Sequence, residues 1–259
     1  MGGALKAIDK GWRLIATGLS FVLFGIGGLA LALAVFPLLN IGLHHRDLRQ
    51  RVAQRIVQRT WRLYIRIMAL LGVLTYRCEG EHRLKTDHGV MVVANHPSLL
   101  DIVFLMAFME RTKCVVKAGV WNNPFMAGVV RAAGYIPNLG DPERLIQDCA
   151  AAMREGNNVV IFPEGSRTVP GQPRRMQRGF AYAAIQAGAP VRLATITVDP
   201  PTLLKGEPWY RIPDRRPHWT IQIHDRIDVL DNAGHDPLPV AARRLVTRVD
   251  DLLEEMLPA

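Results

Sequence analysis

The chain of 259 residues contains little cysteine. Its three cysteines, Cys78, Cys114 and Cys149, lie far apart, and neither a C-x-x-C pair nor a metal-like cluster occurs. This spacing predicts free thiols in a reducing compartment and argues against a disulfide framework or a metal site. Internal repeats and low-complexity tracts are also absent from the sequence. The length suits one substantial α/β domain with an appendage.

No charged residue occurs from Leu14 to Leu43. A helix of that length would span about 45 Å, more than the hydrocarbon core of a bilayer, which is roughly 30 Å thick. The run is interrupted by Gly25, Gly27, Gly28 and Pro37. Two interpretations are therefore open, a tilted or kinked spanning helix and a re-entrant segment whose ends return to the same side. A cleavable signal peptide fits less well, because the apolar stretch is too long.

The charge that is present is mainly positive, with a net charge of +9 and a pI near 9.9. Such a balance indicates an anionic partner, which can be a membrane surface, a phosphorylated substrate or nucleic acid. Arginines recur every three or four residues at Arg51, Arg55, Arg59, Arg62 and Arg66. On a helix they fall within an arc of roughly 80°. Another face of the same helix carries Val52, Ile56, Leu63, Ile67 and Leu71.

This pattern predicts a basic amphipathic helix over residues 46–75 that lies on an anionic bilayer surface. One alternative is a solvated face of a helix packed on the domain. Nucleic acid is not expected as a partner, because no recognised motif accompanies the arginines. Both flanks of the apolar run are basic, so we predict that the run and this helix form a hairpin anchored from the cytoplasmic side. The predicted domains are an anchor, 1–76, and a catalytic domain, 77–259.

The remainder of the chain alternates between apolar, strand-like runs and helical patterns. Predicted strands cover 90–94, 113–117, 158–162, 191–198 and 218–228. Predicted helices cover 98–109, 122–133, 142–155, 178–187 and 238–256. The proline-rich stretch 199–217 is predicted to be a loop. This alternation predicts an α/β fold, a single mixed sheet covered by helices, with the N-terminal membrane-associated hairpin added to it.

A histidine and an aspartate occur five residues apart in the string Asn95-His96-Pro97-Ser98-Leu99-Leu100-Asp101. The string follows the apolar run 90–94, which predicts a buried strand. Pro97 suits the first turn of a helix, so the sequence places His96 at the helix cap and Asp101 about one turn inside. A carboxylate on one imidazole nitrogen fixes the tautomer and leaves the other nitrogen as a general base.

A second string, Phe162-Pro163-Glu164-Gly165-Ser166-Arg167-Thr168, follows another apolar run. The two strings together resemble the N-H-x-S-x-x-D and F-P-E-G-T-R blocks of the glycerolipid acyltransferases, the lysophosphatidate acyltransferase family with the H-x4-D motif. Gln177-Arg178-Gly179 and Ala189-Pro190-Val191 resemble two later blocks. The resemblance covers roughly residues 80 to 200.

The resemblance implies a membrane-bound enzyme that moves a fatty acyl group from acyl-CoA or acyl-carrier protein to the free hydroxyl of a lysophospholipid. The first candidate acceptor is 1-acyl-glycerol-3-phosphate. The expected partners are these two substrates and membrane lipids, and no metal or bound cofactor is expected. The expected location is a membrane, with the catalytic domain facing the cytoplasm, as at a bacterial inner membrane.

The residue roles follow the motifs. His96 is the expected base and Asp101 its orienting partner. The resemblance assigns acceptor binding to Glu164, Gly165, Ser166 and Arg167, and nearby positive charge adds Lys117 and Arg178. Asn95 and Ser98 are expected to support the site, Ser98 by satisfying free N–H groups at the helix start.

One departure from the family pattern concerns the acceptor phosphate. Family members carry an arginine shortly after a Gly-x-Ile-Pro-like step, but here no arginine follows Pro137 until Arg144. Either other positively charged side chains bind the acceptor phosphate, or the acceptor is another lysolipid such as lyso-ornithine lipid. A non-catalytic protein that binds membranes or nucleic acid is the alternative from another class. A lipid hydrolase is disfavoured, because the chain has no G-x-S-x-G elbow.

Overall fold

The computed structural model describes residues 2–169, 171–172, 174–229 and 236–257. Its strands form one seven-stranded sheet in the order β1-β7-β6-β2-β5-β3-β4. They are β1 Thr75–Glu79, β2 Met91–Ala94, β3 Thr112–Lys117, β4 Ile136–Asn138, β5 Asn158–Ile161, β6 Val191–Asp199 and β7 His218–Ile227. Neighbouring strands are parallel, apart from the antiparallel pair β6 and β7. The predicted single mixed sheet is confirmed.

Helices lie on both faces of this sheet. They are α1 Gly2–Ala30, α2 Phe36–Gly42, α3 Arg46–Leu70, α4 Glu81–Thr86, α5 Asp101–Phe108, α6 Ala118–Trp121, α7 Ala127–Ala132, α8 Pro142–Arg154, α9 Gly179–Ala187 and α10 Leu238–Met256. One apolar cluster joins the sheet to α3, α5 and α7, and a second joins it to α8, α9 and α10. In β2, Val92 belongs to the first cluster and Val93 to the second. Burial on both faces explains why this central strand is a continuous apolar run.

The structure contains elements that the sequence analysis did not predict, and it corrects one predicted helix. The strands β1 and β4 and the short helix α4 were not predicted. Both strands lie at the edges of the sheet, where β1 is partly exposed and β4 has only three residues. Within the predicted helix 122–133, only α7 is helical, and a separate short helix, α6, ends at Trp121. Pro124 lies between them and cannot continue the hydrogen bonds of α6.

Helical structure is continuous from Gly3 to Gly42, and this stretch is long and apolar enough to cross a membrane. The glycines do not interrupt it. A π-helical segment, Leu31–Val35, lies just before Pro37, whose missing N–H disturbs the regular hydrogen-bond ladder at this point.

The helix α3 packs on the domain, and its bounds and its buried side differ from the prediction. It ends at Leu70 and not at residue 75, because the chain turns at Gly72, where φ is +76°. The buried side carries Ala53, Gln54, Val57, Tyr64, Ile65 and Met68. In contrast, Leu63, predicted on the apolar face, is 58% exposed. The predicted apolar face is therefore divided, because Ile56 and Leu71 pack against the first apolar cluster and Leu63 does not.

Candidate active site

The two motifs meet at one edge of the sheet. β2 and β5 are parallel neighbours, with Val93 opposite Ile161, and the motifs follow the carboxyl ends of these two strands. Open α/β sheets bind ligands at the carboxyl ends of their strands. His96 and Glu164, which are distant in sequence, are joined here by a hydrogen bond of 3.2 Å from the His96 backbone N–H to Glu164 Oε1.

His96 and Asp101 are in contact, with 2.9 Å between His96 Nδ1 and Asp101 Oδ2. The helix α5 begins at Asp101, and not at residue 98 as predicted, so the carboxylate lies at the start of the helix. The same Oδ2 accepts a hydrogen bond of 2.6 Å from the Ser98 backbone N–H. The turn at residues 98–100, just before the helix, thus places the Asp101 carboxylate beside the His96 imidazole.

The other oxygen of Asp101 has a partner that the sequence analysis missed. Trp219, on β7, donates its indole N–H to Asp101 Oδ1 over 3.2 Å. No local pattern indicates this contact, because 118 positions separate the two residues. Asp101 is fully buried, and Trp219 is 1% exposed.

Burial raises the pKa of the Asp101 carboxyl, and hydrogen bonds from His96, Ser98 and Trp219 act in the opposite direction. Ser98 and Trp219 each donate an N–H to Asp101, and an ionised carboxylate, which only accepts hydrogen bonds, suits these donors best. Beside an ionised Asp101, His96 carries its proton on Nδ1 and has a free lone pair on Nε2. The arrangement can therefore present an oriented general base.

Aromatic packing fixes the plane of the imidazole. The rings of His96 and Phe162 are stacked, with 4.0 Å between their centroids and 17° between their planes. The backbone carbonyl of His96 also accepts a hydrogen bond of 2.7 Å from the Thr168 N–H. The His96 side chain is 15% exposed, whereas that of Asp101 is fully buried. A ligand can thus reach the histidine and not the aspartate.

The second motif forms a tight turn with hydrogen bonds both within itself and to neighbouring segments. Gly165 has a φ of +68°, a conformation that favours glycine. Glu164 Oε1 also accepts a hydrogen bond of 3.0 Å from the Thr168 hydroxyl. Ser166 accepts one of 3.2 Å from Lys205 Nζ. The oxygen Oε1 of Glu164 therefore orders the loop around His96.

Arg167 contacts the long loop 200–217. Its Nη1 donates to the carbonyls of Leu203, at 2.8 Å, and Leu204, at 3.0 Å. The predicted role of Arg167 was to bind the acceptor phosphate. One nitrogen of its guanidinium group is thus already used by the protein, which leaves Nε and Nη2 for a ligand.

Asn95 and Ser98 support the site structurally. The Asn95 amide pairs with the backbone of Ile196 on β6 through two hydrogen bonds of 2.8 Å. The Ser98 hydroxyl donates to the Thr202 carbonyl over 3.0 Å, so its oxygen does not cap the helix as expected. Its backbone N–H is the group that meets Asp101.

Lys117 and Arg178 are exposed. Lys117 ends β3, the strand beside β5, and Arg178 immediately precedes α9. Among the hydrogen bonds described, none joins either residue to the group around His96. No cluster of three or more His, Cys, Asp or Glu side chains suited to a metal ion occurs in the described part of the chain.

A family model and several named relatives match parts of this chain. Residues 75–197 match the family model described as Acyltransferase. A chloroplastic 1-acyl-sn-glycerol-3-phosphate acyltransferase of Brassica napus is 28% identical over 115 residues, which cover 43% of this chain and 33% of the relative. A lyso-ornithine lipid O-acyltransferase of Pseudomonas aeruginosa is 30% identical over 181 residues, 68% of this chain and 66% of the relative.

The fold is also found in a solved structure. The 1-acyl-sn-glycerophosphate acyltransferase of Thermotoga maritima superimposes with a TM-score of 0.66 at 17% sequence identity, over 95% of this chain and all of that one. The matched segment spans about a third of the length of two plant relatives. Through residues 75–197, which contain both motifs, the chain is similar to the family described as Acyltransferase.

Proposed function

We propose that the chain transfers a fatty acyl group from a thioester donor to the free hydroxyl of a monoacylated lipid. The contact between His96 Nδ1 and the buried Asp101 carboxylate carries this proposal. It supports an oriented base at a ligand-accessible edge of the sheet, beside the Glu164–Arg167 turn. A non-catalytic protein would have no use for such a pair.

In the proposed reaction, His96 Nε2 takes the proton of the acceptor hydroxyl while the hydroxyl oxygen attacks the thioester carbonyl. A C–O bond forms, and the carbonyl becomes a tetrahedral oxyanion. The collapse of this intermediate breaks the C–S bond, and the leaving thiolate takes the proton from His96. No acyl-enzyme is needed, and the Ser98 hydroxyl, which donates to Thr202, is not proposed as a nucleophile.

The acceptor has two candidates. Lysophosphatidate is the first, because relatives named for this activity match the chain in plants and bacteria. Lyso-ornithine lipid is the second, because a relative named for that activity matches 68% of the chain. The absence of an arginine between Pro137 and Arg144 also favours the second candidate, as does the use of Arg167 Nη1 by the loop.

The proposed donor is acyl-CoA or acyl-carrier protein. Both are anionic, and a chain with a net charge of +9 attracts such molecules at long range. No metal or bound cofactor takes part in the proposed reaction.

We propose further that residues 1–76 anchor the enzyme to one side of a membrane, with the catalytic domain in the cytoplasm, as at a bacterial inner membrane. One side of α1 packs against the domain: the ring of Phe24 stacks on that of Trp61, and Tyr64 donates to the Ser20 carbonyl. Other positions of α1 expose Leu19, Val22 and Ile26. A helix held along the domain supports a re-entrant anchor over a free spanning helix.

The test is acyl transfer by the purified protein, measured by lipid mass spectrometry. Each donor, acyl-CoA and acyl-carrier protein, is paired with each acceptor, lysophosphatidate and lyso-ornithine lipid, with protein-free reactions as blanks. We expect the diacylated product from at least one acceptor. Thioester consumption without any acylated lipid would contradict the proposal and indicate hydrolysis.

A further inference from the structure

The second oxygen of the buried aspartate has its own dedicated donor, on a strand outside both motifs. Asp101 Oδ2 accepts from His96 Nδ1 and from the Ser98 N–H, and Asp101 Oδ1 accepts from Trp219 Nε1. Trp219 lies on β7, paired with Tyr76 of β1 and Val198 of β6. The contact therefore depends on the assembled sheet.

We propose that Trp219 is a positioning residue for acyl transfer, which holds the Asp101 carboxylate ionised and turned toward His96. This inference rests on the proposed function of the His96–Asp101 pair. Trp219 does not touch the substrates in this account, because it is buried and acts through Asp101.

Packing leaves the indole little freedom to face another partner. The ring of Trp219 lies 5.7 Å from that of Phe104, centroid to centroid. Phe104 is three residues after Asp101 on α5, so the same helix carries the aromatic neighbour and the carboxylate. A buried indole N–H needs an acceptor, and a buried carboxylate oxygen needs a donor. Each of these two groups satisfies the other.

The hydrogen bond from Trp219 affects the base through the charge of Asp101 and through the rotation of its carboxylate. A protonated Asp101 would weaken its interaction with His96 Nδ1–H, and a rotated carboxylate would turn Oδ2 away. A donor on Oδ1 opposes both changes, because it favours the ionised form and fixes the carboxylate plane. Among the described contacts of the pair, the one further titratable group is Glu164, which accepts from the His96 backbone N–H.

The test replaces the N–H of Trp219 while keeping its shape. Trp219→Phe removes the donor, and substitution of the indole by benzothiophene, through 3-benzothienylalanine at this position, removes it with almost no change in volume. The matched control is Trp12→Phe, since Trp12 donates its indole N–H to the Leu71 carbonyl in another part of the fold. Thermal unfolding of each variant checks that it is folded.

We expect kcat to fall by about tenfold or more in both Trp219 variants, the scale of a hydrogen bond to a charged group, and both KM values to stay within about twofold. Loss of a donor to the anionic form raises the pKa of the Asp101 carboxyl. The acid limb of the kcat profile should therefore move to higher pH. A merely structural role would reduce stability without moving that limb.

A second readout does not depend on turnover. Infrared difference spectroscopy of protein labelled with 13C-aspartate, with Asp101→Asn as the blank, follows the ionisation of the Asp101 carboxyl as a function of pH. The midpoint should move upward in both Trp219 variants and stay in place in Trp12→Phe. Unchanged midpoints and an unchanged acid limb would overturn the inference. If the wild type acylates no lysolipid, the proposed function fails, and the Asp101 midpoints still decide the role of Trp219.

Discussion

Two buried carboxylates have pKa values that are shifted in opposite directions. Burial raises the pKa of Asp101, which has the titratable imidazole of His96 beside it. Burial acts in the same sense on Asp87, but hydrogen bonds and ion pairs with Arg192 and Arg226 lower its pKa below the usual range. A permanent pairing with guanidinium groups suits a structural ion pair, and a buried carboxylate hydrogen-bonded to an imidazole suits the orientation of a general base.

The structural pair gives a pH-dependent prediction. Asp87→Asn should lower the free energy of unfolding by about 3–5 kcal/mol at pH 7, because it leaves the charge of the buried Arg192 uncompensated. The folded pKa of Asp87 lies below its unfolded value of about 3.9, so the ion pair stabilises fully above that pH and is lost as the pH falls through the folded pKa. Urea unfolding should show the difference from wild type shrinking below about pH 4.

The control for this prediction is an exposed ion pair. Asp199 and Arg215 are 3.2 Å apart, with both side chains 73% exposed. Asp199→Asn should cost less than about 1 kcal/mol at any of these pH values. A similar cost for Asp87→Asn, or a difference from wild type that grows on acidification, would refute the role assigned to Asp87.

Arg167 gives a second prediction at this scale. The guanidinium group of Arg167 binds the carbonyls of Leu203 and Leu204 and has further N–H groups that suit a phosphate. Lysine keeps the charge but loses this planar arrangement of donors. If the acceptor carries a phosphate, Arg167→Lys should raise the acceptor KM about tenfold or more, while the donor KM stays within about twofold. Steady-state kinetics with lysophosphatidate measure both constants.

Arg154→Lys is the matched control, because the exposed Arg154 also donates to a backbone carbonyl, that of Gln186, and lies on α8 outside both motifs. Rapid acylation of lysophosphatidate that survives Arg167→Lys unchanged would show that the phosphate binds elsewhere. If the wild type instead prefers lyso-ornithine lipid, the missing arginine after Pro137 marks a change of acceptor.

At the scale of elements, α3 has three distinct sides. Its packed side faces the domain, and a basic strip includes the exposed Arg55, Arg59 and Arg66. Leu63 and Leu70 are 58% and 87% exposed. Exposed leucines next to arginines are typical of a helix at a lipid surface. Arg62 differs from the other arginines, since it donates to the Ala107 carbonyl and is only partly exposed.

This arrangement predicts how the chain binds vesicles. Each arginine near an anionic surface is worth about 1 kcal/mol, so changing Arg55, Arg59 and Arg66 to Gln should weaken binding by about 100-fold. The effect should diminish as salt rises, since the Debye length is about 8 Å at physiological ionic strength. Co-sedimentation of the full-length chain with vesicles of anionic and of neutral lipids measures it.

The control set carries the same change of charge on the opposite face of the sheet. Gln at the exposed Arg144, Arg154 and Arg243, on α8 and α10, should leave binding to anionic vesicles nearly unchanged. Equal losses for the two sets would indicate only a general charge effect. Binding indifferent to salt and to both sets would make the arginines of α3 a solvated face.

The sequence predicts the central elements better than the edges. β2 and β5 are buried runs flanked by recognisable motifs, so their apolar pattern is local, and the contact of His96 with Asp101 depends on only five residues of chain. The start of α5, in contrast, was misplaced, because Pro97 precedes a turn and not the helix itself. The contact of Trp219 with Asp101 and that of Arg167 with Leu203 each join distant segments, so no local pattern could predict them.

At the scale of the whole molecule, hydrogen bonds connect the N-terminal helix to the site. The buried Arg13 of α1 donates to backbone carbonyls at Pro213, Asp214 and Arg215 in the long loop. The same loop accepts from Arg167 at Leu203. The proposed anchor therefore also braces the loop that covers the second motif, so membrane tests require the full-length chain.

The most direct test of the account is the rate of acyl transfer by purified wild type, His96→Ala, Asp101→Asn and the double variant, with the preferred acceptor and with folding checked by circular dichroism. The account predicts that each single change removes most of the activity. It also predicts that the double variant is hardly slower than His96→Ala, since the two residues act as one unit. Turnover near the wild-type rate in the folded His96→Ala protein would contradict it.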